Sequence, residues 1–280
     1  MRIGVHVSLW QRTWEEDISP LIDRAANLGF DGVEVSLYTL RSMDVSSLRR
    51  CVEAARLGIT CSTGLLADTD IGSEDASVRA AGLRRLQQDV QLASDVGATI
   101  LCGVLYSAWG RTAFDTSRDS VMARSLDVLR RVAEIAHSAG LTLGIEAINR
   151  YESSLVNTAA QARALVDALG SPAVGVHLDT YHMNIEEPDI EGAVQTAGAR
   201  LVHVHCAGVD RGPPGLGRFP WSDLIIALDR LRYDGWLTLE CGAHAGTPVA
   251  NSYHVWRPLG DPDTVAAAGL EFLKRLLTTI

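Results

Sequence analysis

The stretch His177-Leu-Asp-Thr-Tyr-His-Met-Asn-Ile-Glu-Glu187 closes an apolar, β-rich run with a carboxylate, Asp179. A second side chain capable of acid–base or ligand chemistry, His182, follows three residues later. A carboxylate at the point where a buried strand reaches the surface is costly unless a cation meets it. The stretch therefore predicts a cation-binding or catalytic site at the carboxyl end of a strand.

Three more side chains that can bind a metal ion each end a hydrophobic run of their own: Glu146, His205 and Glu240. In chain order, with Asp179 included, the four residues are 33, 26 and 35 positions apart, and each gap is about one strand–helix repeat. Four consecutive strands with such ends converge on one point only in a closed parallel barrel. For any one of the four alone, a helix-capping carboxylate or a buried core histidine is the alternative interpretation.

Short β-rich runs alternate with amphipathic segments eight times along the chain, as is typical of parallel strands covered on both faces. Eight βα units in 280 residues predict one (β/α)8 TIM barrel domain spanning 1–280. An open doubly wound sheet is disfavoured because no Gly-x-Gly-x-x-Gly follows the first strand. The predicted strands are 2–7, 32–37, 59–64, 99–105, 141–147, 174–179, 201–206 and 236–241. Helix-ending glycines precede several of them: Gly29, Gly58, Gly97 and Gly140.

Side-chain parity supports a shared site, because successive residues of a strand point to opposite faces. If the four strand-end residues face the barrel interior, so do the residues two positions earlier: Gly144, His177, His203 and Thr238. The intervening residues are all apolar and would face the helices: Ile145, Leu178, Val204 and Leu239. We therefore expect His203 and His177 beneath the strand-end cluster, either orienting its members or as core histidines.

The composition excludes several classes of function. The net charge is −9, from 34 acidic residues against 25 Lys and Arg, which argues against a nucleic-acid partner. No apolar run approaches the length of a membrane span, and the N-terminus lacks the apolar core of a signal peptide. The five cysteines are odd in number and have no paired spacing, so we expect reduced thiols in a cytoplasmic protein. Two Glu, one Asp and one His suit Mn²⁺, Mg²⁺ or Co²⁺ better than a cysteine-built zinc site would.

Four segments resemble a known family: Glu146-Ala-Ile-Asn-Arg-Tyr-Glu152, Leu178-Asp-Thr-Tyr-His-Met-Asn-Ile-Glu-Glu187, His203-Val-His205 and Arg211-Gly-Pro-Pro-Gly-Leu-Gly-Arg218. They are similar to segments of the ketose 3-epimerases, the D-tagatose and D-psicose 3-epimerase group of the xylose-isomerase-like barrels. The likeness covers essentially the whole chain and includes further residues: Asp31-Gly-Val-Glu34, Trp109 and Val255-Trp-Arg257.

The resemblance implies C3 epimerisation of a free ketose, such as D-tagatose, D-fructose, D-psicose or L-ribulose. It implies one divalent metal ion, for which we expect Mn²⁺ before Co²⁺ or Mg²⁺, held by Glu146, Asp179, His205 and Glu240. Glu146 and Glu240 come from the first and last of the four strands, so we expect them to act as base and acid on opposite faces of the sugar. A homodimer or homotetramer is also implied.

The substrate contacts implied by the resemblance lie around the carbonyl of the sugar: Glu152, His182 and Arg211. We expect Trp109 to stack on the sugar, a buried loop tryptophan being the alternative. Glu34 is expected to bond a sugar hydroxyl or to cap the segment after the second strand. The resembling enzymes carry an aromatic residue on the first strand near the far end of the sugar. His6 on that strand makes the subpocket more polar here.

Other functions are open on the same barrel. An aldose–ketose isomerase or an inosose dehydratase-like lyase could use the same metal and acids. An endonuclease IV-type nuclease would need three metal ions and many more histidines, which eight His and a net charge of −9 disfavour. A non-catalytic sugar-binding barrel is the last alternative, and the pair of Glu146 and Glu240 argues against it.

Overall fold

The structure is a computed structural model that describes residues 1–41, 43–112, 118–242 and 244–280. Parallel strands form a closed barrel in which neighbours follow the chain order and the last strand pairs with the first. The predicted (β/α)8 barrel is therefore confirmed. The strands are β1 (Arg2–His6), β2 (Gly32–Ser36), β3 (Gly58–Leu65), β4 (Ile100–Ala108), β5 (Thr142–Glu146), β6 (Val174–Asp179), β7 (Leu201–Cys206) and β8 (Trp236–Leu239).

Helices connect successive strands and pack against the outside of the barrel. Within the described ranges, none of them combines the length and the apolar character needed to span a membrane. The helices are α1 (Ser19–Leu28), α2 (Leu37–Leu40), α3 (Val45–Ala54), α4 (Ala76–Val96), α5 (Arg118–Ser138), α6 (Ala159–Leu169), α7 (Thr180–Glu186), α8 (Ile190–Ala197), α9 (Trp221–Arg230), α10 (Pro248–Ser252) and α11 (Pro262–Leu277).

The register of the barrel explains why the strand ends converge. Asp179 of β6 pairs with His205 of β7, so two of the predicted ligands are direct neighbours across the sheet. The apolar residues that precede them, Leu178 and Val204, are fully buried in the hydrophobic core. Side chains alternate between the two faces of a strand. The polar residues therefore face the barrel interior, and the apolar residues between them face the helices.

The expectation that certain glycines end helices holds at Gly29 and Gly97 and fails at Gly58. Gly29 and Gly97, with φ of 92° and 88°, cap α1 and α4 in the left-handed conformation. The expectation that Gly58 ends a helix is wrong, because Gly58 is the first residue of β3 and α3 ends at Ala54. Arg56 takes the left-handed conformation after α3, with φ of 56°, which an arginine seldom adopts and which the sequence therefore does not signal.

Candidate metal centre and its pocket

Four side chains lie together in the mouth of the barrel, at or directly after the ends of β5 to β8: Glu146, Asp179, His205 and Glu240. All four are buried, and their potential ligand atoms lie within 4.8 Å of one another. The structure thus brings together the four residues that the sequence singled out. Three carboxylates and an imidazole form a donor set of the kind that Mn²⁺, Co²⁺ and Mg²⁺ accept.

His205 is oriented so that its Nδ1 atom can serve as a ligand. Its Nε2 atom lies 2.8 Å from Glu34 Oε1 and donates to that carboxylate. Nδ1 faces Glu240 Oε2 at 3.3 Å and has no hydrogen-bond partner within the part of the chain that the structure describes. Although burial opposes it, the two glutamates raise the pKa of His205 well above its usual value. A divalent cation would therefore replace a proton at Nδ1, and the residues fit such an ion.

In the protein without a metal ion, burial and the charges of neighbouring side chains set the protonation states of the three carboxylates. Burial raises the pKa of Asp179 to about 6, although the neighbouring Arg211 favours the ionised form. Burial and the charge of Glu240 raise the pKa of Glu146 well above its usual range. Against the effect of burial, the His205 ring holds the pKa of Glu240 well below its usual range. The two glutamates therefore differ, since Glu146 favours its protonated form and Glu240 its ionised form.

Arg211, on the loop after β7, neutralises part of this negative charge. Its Nη1 atom donates to Asp179 Oδ2 at 2.9 Å and to Glu240 Oε2 at 2.8 Å. The guanidinium carbon lies 4.0 Å from the centre of the Tyr181 ring, and the side chain is buried. The backbone of Arg211 has φ of 66°, a left-handed conformation that costs about 1–3 kcal/mol in a non-glycine residue. The loop therefore holds the cation against the carboxylates at some cost in backbone energy.

His182, on α7, is held in one tautomer by its neighbour across the site. The backbone N–H of Asn149 donates to His182 Nδ1 at 3.1 Å, so the proton of the neutral ring sits on Nε2. Burial and the charge of Arg211 lower the pKa of His182 well below its usual value, which keeps the ring neutral. Nε2 lies 3.5 Å from Asp179 Oδ2 and 3.7 Å from Glu146 Oε1. Nε2 is therefore a donor beside Glu146, Asp179, His205 and Glu240, which together are called the metal-ligand cluster below.

A cavity with polar and aromatic walls opens above this cluster. Several residues that the sequence predicted as sugar contacts line it: His6, Trp109, Glu152, His182 and Arg211. Trp109 Nε1 donates to Glu152 Oε2 at 3.0 Å, and Asn149 Nδ2 donates to Glu152 Oε1 at 2.8 Å. The Glu152 carboxylate is therefore fixed at the cavity wall.

Glu34 departs from its prediction. It is fully buried and does not line the cavity, so the expected bond to a sugar hydroxyl is not what the structure shows. Its Oε2 atom accepts from Thr60 Oγ1 at 2.7 Å and lies 2.7 Å from His203 Nε2, while Oε1 accepts from His205. Both of its oxygens are engaged inside the barrel because Glu34 lies within β2 rather than beyond its end. The predicted layer of His203 and His177 is present, with the ring of His177 4.2 Å from that of His205.

Sequence reasoning missed several residues of the site. Asn149 lies in the segment from Glu146 to Glu152 that was compared with the family, but no role was given to it. Asn149 lies three positions from Glu146 and three from Glu152, and this spacing could have indicated that it contacts the site. The unforeseen residues of the cavity wall include Trp14, Tyr38, Ser62 and Tyr253. Trp14 and Tyr253 belong to loops, whose course no strand period predicts.

Comparisons with known proteins agree with this site. The D-psicose 3-epimerase of Agrobacterium fabrum is 32% identical over 95% of this chain and 93% of its own length. The ketose 3-epimerase of Arthrobacter globiformis is 33% identical over 100% of this chain and 98% of its own. The solved structure of D-psicose 3-epimerase with D-tagatose from Clostridium cellulolyticum H10 superposes with a TM-score of 0.94 at 30% identity, covering 99% of each chain.

A family model described as the xylose isomerase-like TIM barrel matches residues 22–276, which is most of the chain. The three epimerases cover nearly the full length at 30% identity or more. This chain therefore belongs to the xylose isomerase-like TIM barrel family and, within it, to the ketose 3-epimerases.

Proposed function

We propose that this protein epimerises a free ketose at C3 with the help of one divalent metal ion. The observation that carries the proposal is the convergence of two carboxylates, Glu146 and Glu240, on the cavity in the mouth of the barrel. The relatives with this fold that are named D-psicose, L-ribulose and ketose 3-epimerases support the reaction class. Mn²⁺ is the metal we propose, with Co²⁺ and Mg²⁺ as the alternatives, because the donors are three oxygens and one nitrogen.

The reaction requires a proton to leave C3, next to the C2 ketone, and another to return to the opposite face. A divalent cation held by the four ligands would polarise the ketone and stabilise the negative charge that develops on its oxygen. Ionised Glu240 is suited to accept the C3 proton, and the electron pair of that C–H bond moves into the conjugated system of C2, C3 and the ketone oxygen. Protonated Glu146 then donates to the other face of C3. The roles exchange for the opposite epimer.

The other cavity residues orient the sugar. His182 Nε2–H and the Arg211 guanidinium are donors beside the carboxylates and are suited to the oxygens of C1 and C2. The Glu152 carboxylate, held by Trp109 and Asn149, is an acceptor for a sugar hydroxyl. Trp109 lines the cavity and offers an apolar surface to the carbon face of the sugar. A dimer or tetramer, as the family resemblance implies, is part of the proposal.

The test is a panel of free ketoses incubated with Mn²⁺-loaded protein in D₂O. We expect D-fructose to give D-psicose, D-tagatose to give its C3 epimer, and deuterium to enter at C3. Asp179→Asn, which removes a ligand and leaves the two acid–base residues, should abolish both the bound metal and the turnover.

Each alternative has a distinct outcome in the same experiment. An aldose–ketose isomerase would form aldoses with exchange at C1 or C2, and a lyase would form a product lacking one molecule of water. A sugar-binding barrel would bind ketoses without turnover. If metal-loaded protein leaves the C3 hydrogen of every ketose in place, the proposed function is wrong.

A further inference from the structure

A second set of side chains that can bind a metal ion lies inside the barrel, beneath the metal-ligand cluster. Potential ligand atoms of Cys102, His177, His203 and His205 lie within 4.8 Å of one another, and all four residues are buried. His205 belongs to both sets, and its Nδ1 atom faces Glu240 in the barrel mouth. The residues that belong to the deeper set alone are Cys102, His177 and His203, which are called the interior group below.

The register of the strands places the interior group in one layer of the barrel. His177 of β6 pairs with His203 of β7, and each lies two residues before a member of the metal-ligand cluster. Cys102 of β4 pairs with Gly144 of β5, which lies two residues before Glu146. Alternate residues of a strand share a face, so the three side chains point inward, one layer deeper than the metal-ligand cluster. Gly144 keeps this layer open, because a Cβ atom there would lie 2.9 Å from the Cβ of Cys102 and 3.4 Å from that of His177.

His177 has the surroundings that most clearly indicate a missing partner. Its side chain is fully buried, and neither ring nitrogen has a hydrogen-bond partner within the described ranges of the chain. Nδ1 lies 4.0 Å from Glu146 Oε2, which is too far for a hydrogen bond. His203 Nδ1 is also buried without a partner among the described residues. A neutral imidazole carries one N–H and one lone pair, and burying them unpaired costs free energy that a metal ion bonded to the lone pair would offset.

A thiolate and two imidazoles favour a different ion from the one that suits three carboxylates and an imidazole. Zn²⁺ binds cysteine sulfur at about 2.3 Å and histidine nitrogen at about 2.0–2.1 Å in tetrahedral sites, so its ligand atoms lie about 3.3–3.8 Å apart. The interior ligand atoms already lie within 4.8 Å of one another, and small side-chain rotations would bring them to that spacing.

The charges around the interior group also match a divalent ion. Glu34 Oε1 lies 3.7 Å from Cys102 Sγ, and Glu34 Oε2 lies 2.7 Å from His203 Nε2. When the ion binds, the S–H bond of Cys102 breaks, the sulfur bonds to the ion and the proton leaves to solvent. One divalent ion, one thiolate and one carboxylate then sum to zero, which lowers the cost of burying each of these charges.

We propose that Cys102, His177 and His203 hold a second metal ion inside the barrel, a thiophilic divalent ion such as Zn²⁺. None of these three residues lines the cavity, so the ion has a structural role and does not touch the sugar. It ties β4 to β6 and β7 beneath the metal-ligand cluster. An ion that binds the folded chain alone stabilises the fold.

The test uses Co²⁺, because a thiolate bonded to Co²⁺ gives a charge-transfer absorption in the near ultraviolet that oxygen and nitrogen ligands do not give. The protein is produced in cells supplied with Co²⁺, so that the ion is present while the chain folds. We expect the parent to contain two Co²⁺ ions per chain and to show this absorption. Cys102→Ser should lose the absorption and one of the two ions. Cys61→Ser is the matched control and should keep both, because Cys61 is a buried cysteine of β3 that pairs with Leu101 and packs in the apolar core.

Two further variants separate the interior ion from the ion of the metal-ligand cluster. Asp179→Asn removes a ligand in the barrel mouth and should lose one Co²⁺ ion while keeping the absorption. His177→Gln keeps the thiol and should lose the absorption with the interior ion, which tests the site independently if Cys102→Ser does not fold.

The spectrum of the parent alone can overturn the proposal. A parent that contains one Co²⁺ ion per chain and lacks the absorption has no interior metal site, whatever the variants show. Absorption that persists in Cys102→Ser would assign the thiolate to another cysteine and refute the site as well. No sugar enters these measurements, so their outcome leaves the proposed epimerase function unaffected.

Discussion

Glu34 Oε1 lies 2.8 Å from His205 Nε2, inside the barrel and on the side of the imidazole away from the metal-ligand cluster. The other oxygen of the same carboxylate lies 2.7 Å from His203 Nε2. Against the effect of burial, the two histidines hold the pKa of Glu34 well below its usual range, so the carboxylate is ionised. An ionised acceptor at Nε2 keeps the proton there and leaves Nδ1 as the atom that can bind a metal.

We therefore expect Glu34→Gln to weaken binding of Mn²⁺. A glutamine amide can donate to Nε2 as well as accept from it, so His205 can move its proton to Nδ1 and lose its ligand lone pair. Loss of such a supporting partner typically costs about 10- to 100-fold in metal affinity. Calorimetric titration of the metal-free protein measures the dissociation constant. Glu53→Gln, at an exposed glutamate paired with Arg49 on α3, is the matched control. An unchanged Mn²⁺ affinity in Glu34→Gln would show that Glu34 does not orient His205.

Arg211 should stabilise the metal-free protein more than the metal-loaded protein. It bonds to two buried carboxylates, Asp179 and Glu240, and removing one partner of a buried ion pair costs about 3–5 kcal/mol. We expect Arg211→Ala to lower the melting temperature of the metal-free protein clearly, and Mn²⁺ to restore part of the loss by supplying positive charge. Metal content should stay near one per chain while kcat/KM falls strongly.

The control for Arg211 is Arg275→Ala, which removes an exposed arginine paired with Glu271, an equally exposed glutamate on α11. Exposed pairs contribute about 0–1 kcal/mol, so its melting temperature should change little with or without metal. Loss of metal from Arg211→Ala in parallel with loss of activity would instead make Arg211 a structural support of the metal centre.

Metal affinity should fall as the pH drops through about 6. Burial raises the pKa of Asp179 to about 6, so below that pH the protonated carboxyl predominates and a cation must displace its proton. Above that pH Asp179 is ionised and this penalty disappears. Protonation of Asp179 alone should raise the apparent dissociation constant about tenfold for each pH unit below 6, in addition to the protons that Glu146 and His205 give up to the metal. Titrations at pH 5 and pH 7 in two buffers of different ionisation enthalpy measure both the affinity and the protons released. A dissociation constant independent of pH over this interval would contradict the raised pKa.

The sequence predicted the barrel and the convergence of the four candidate ligands because both depend on periodicity. Strand ends recur at regular intervals, and alternate residues share a face, so Asp179 and His205 could be assigned to one point before their pairing was known. Glu34 was misplaced because its depth depends on the stagger between strands, which sets how far each residue lies from the barrel mouth. A single sequence contains no direct record of that stagger.

Loop residues were predicted least well, for a different reason. Arg211 was assigned to the sugar through family resemblance, and its bonds to Asp179 and Glu240 follow from a left-handed backbone that no sequence pattern announced. Tyr253 reaches the cavity from the residue directly after α10, a five-residue helix too short to show a period in the sequence.

The two acid–base residues should act on opposite faces of C3, and this can be tested while the metal stays in place. A single base that removed and returned the proton would have to cross the plane of the planar intermediate. Glu146 and Glu240 avoid that movement, since they come from the ends of two different strands, β5 and β8. Glu146→Gln and Glu240→Gln, each assayed at saturating Mn²⁺, should lower epimerisation by about 10²- to 10⁴-fold.

The decisive measurement for this pair is exchange of the C3 hydrogen with D₂O, followed separately from each epimer. Each variant should lose exchange from the epimer whose proton the missing carboxylate removes, and should retain part of the exchange from the other epimer. Metal content measured on the same samples shows whether a loss of exchange reflects acid–base chemistry or a lost ligand. If both variants hold one metal ion and exchange the C3 hydrogen of both epimers at the parent rate, Glu146 and Glu240 are ligands alone and the proton is carried by another group.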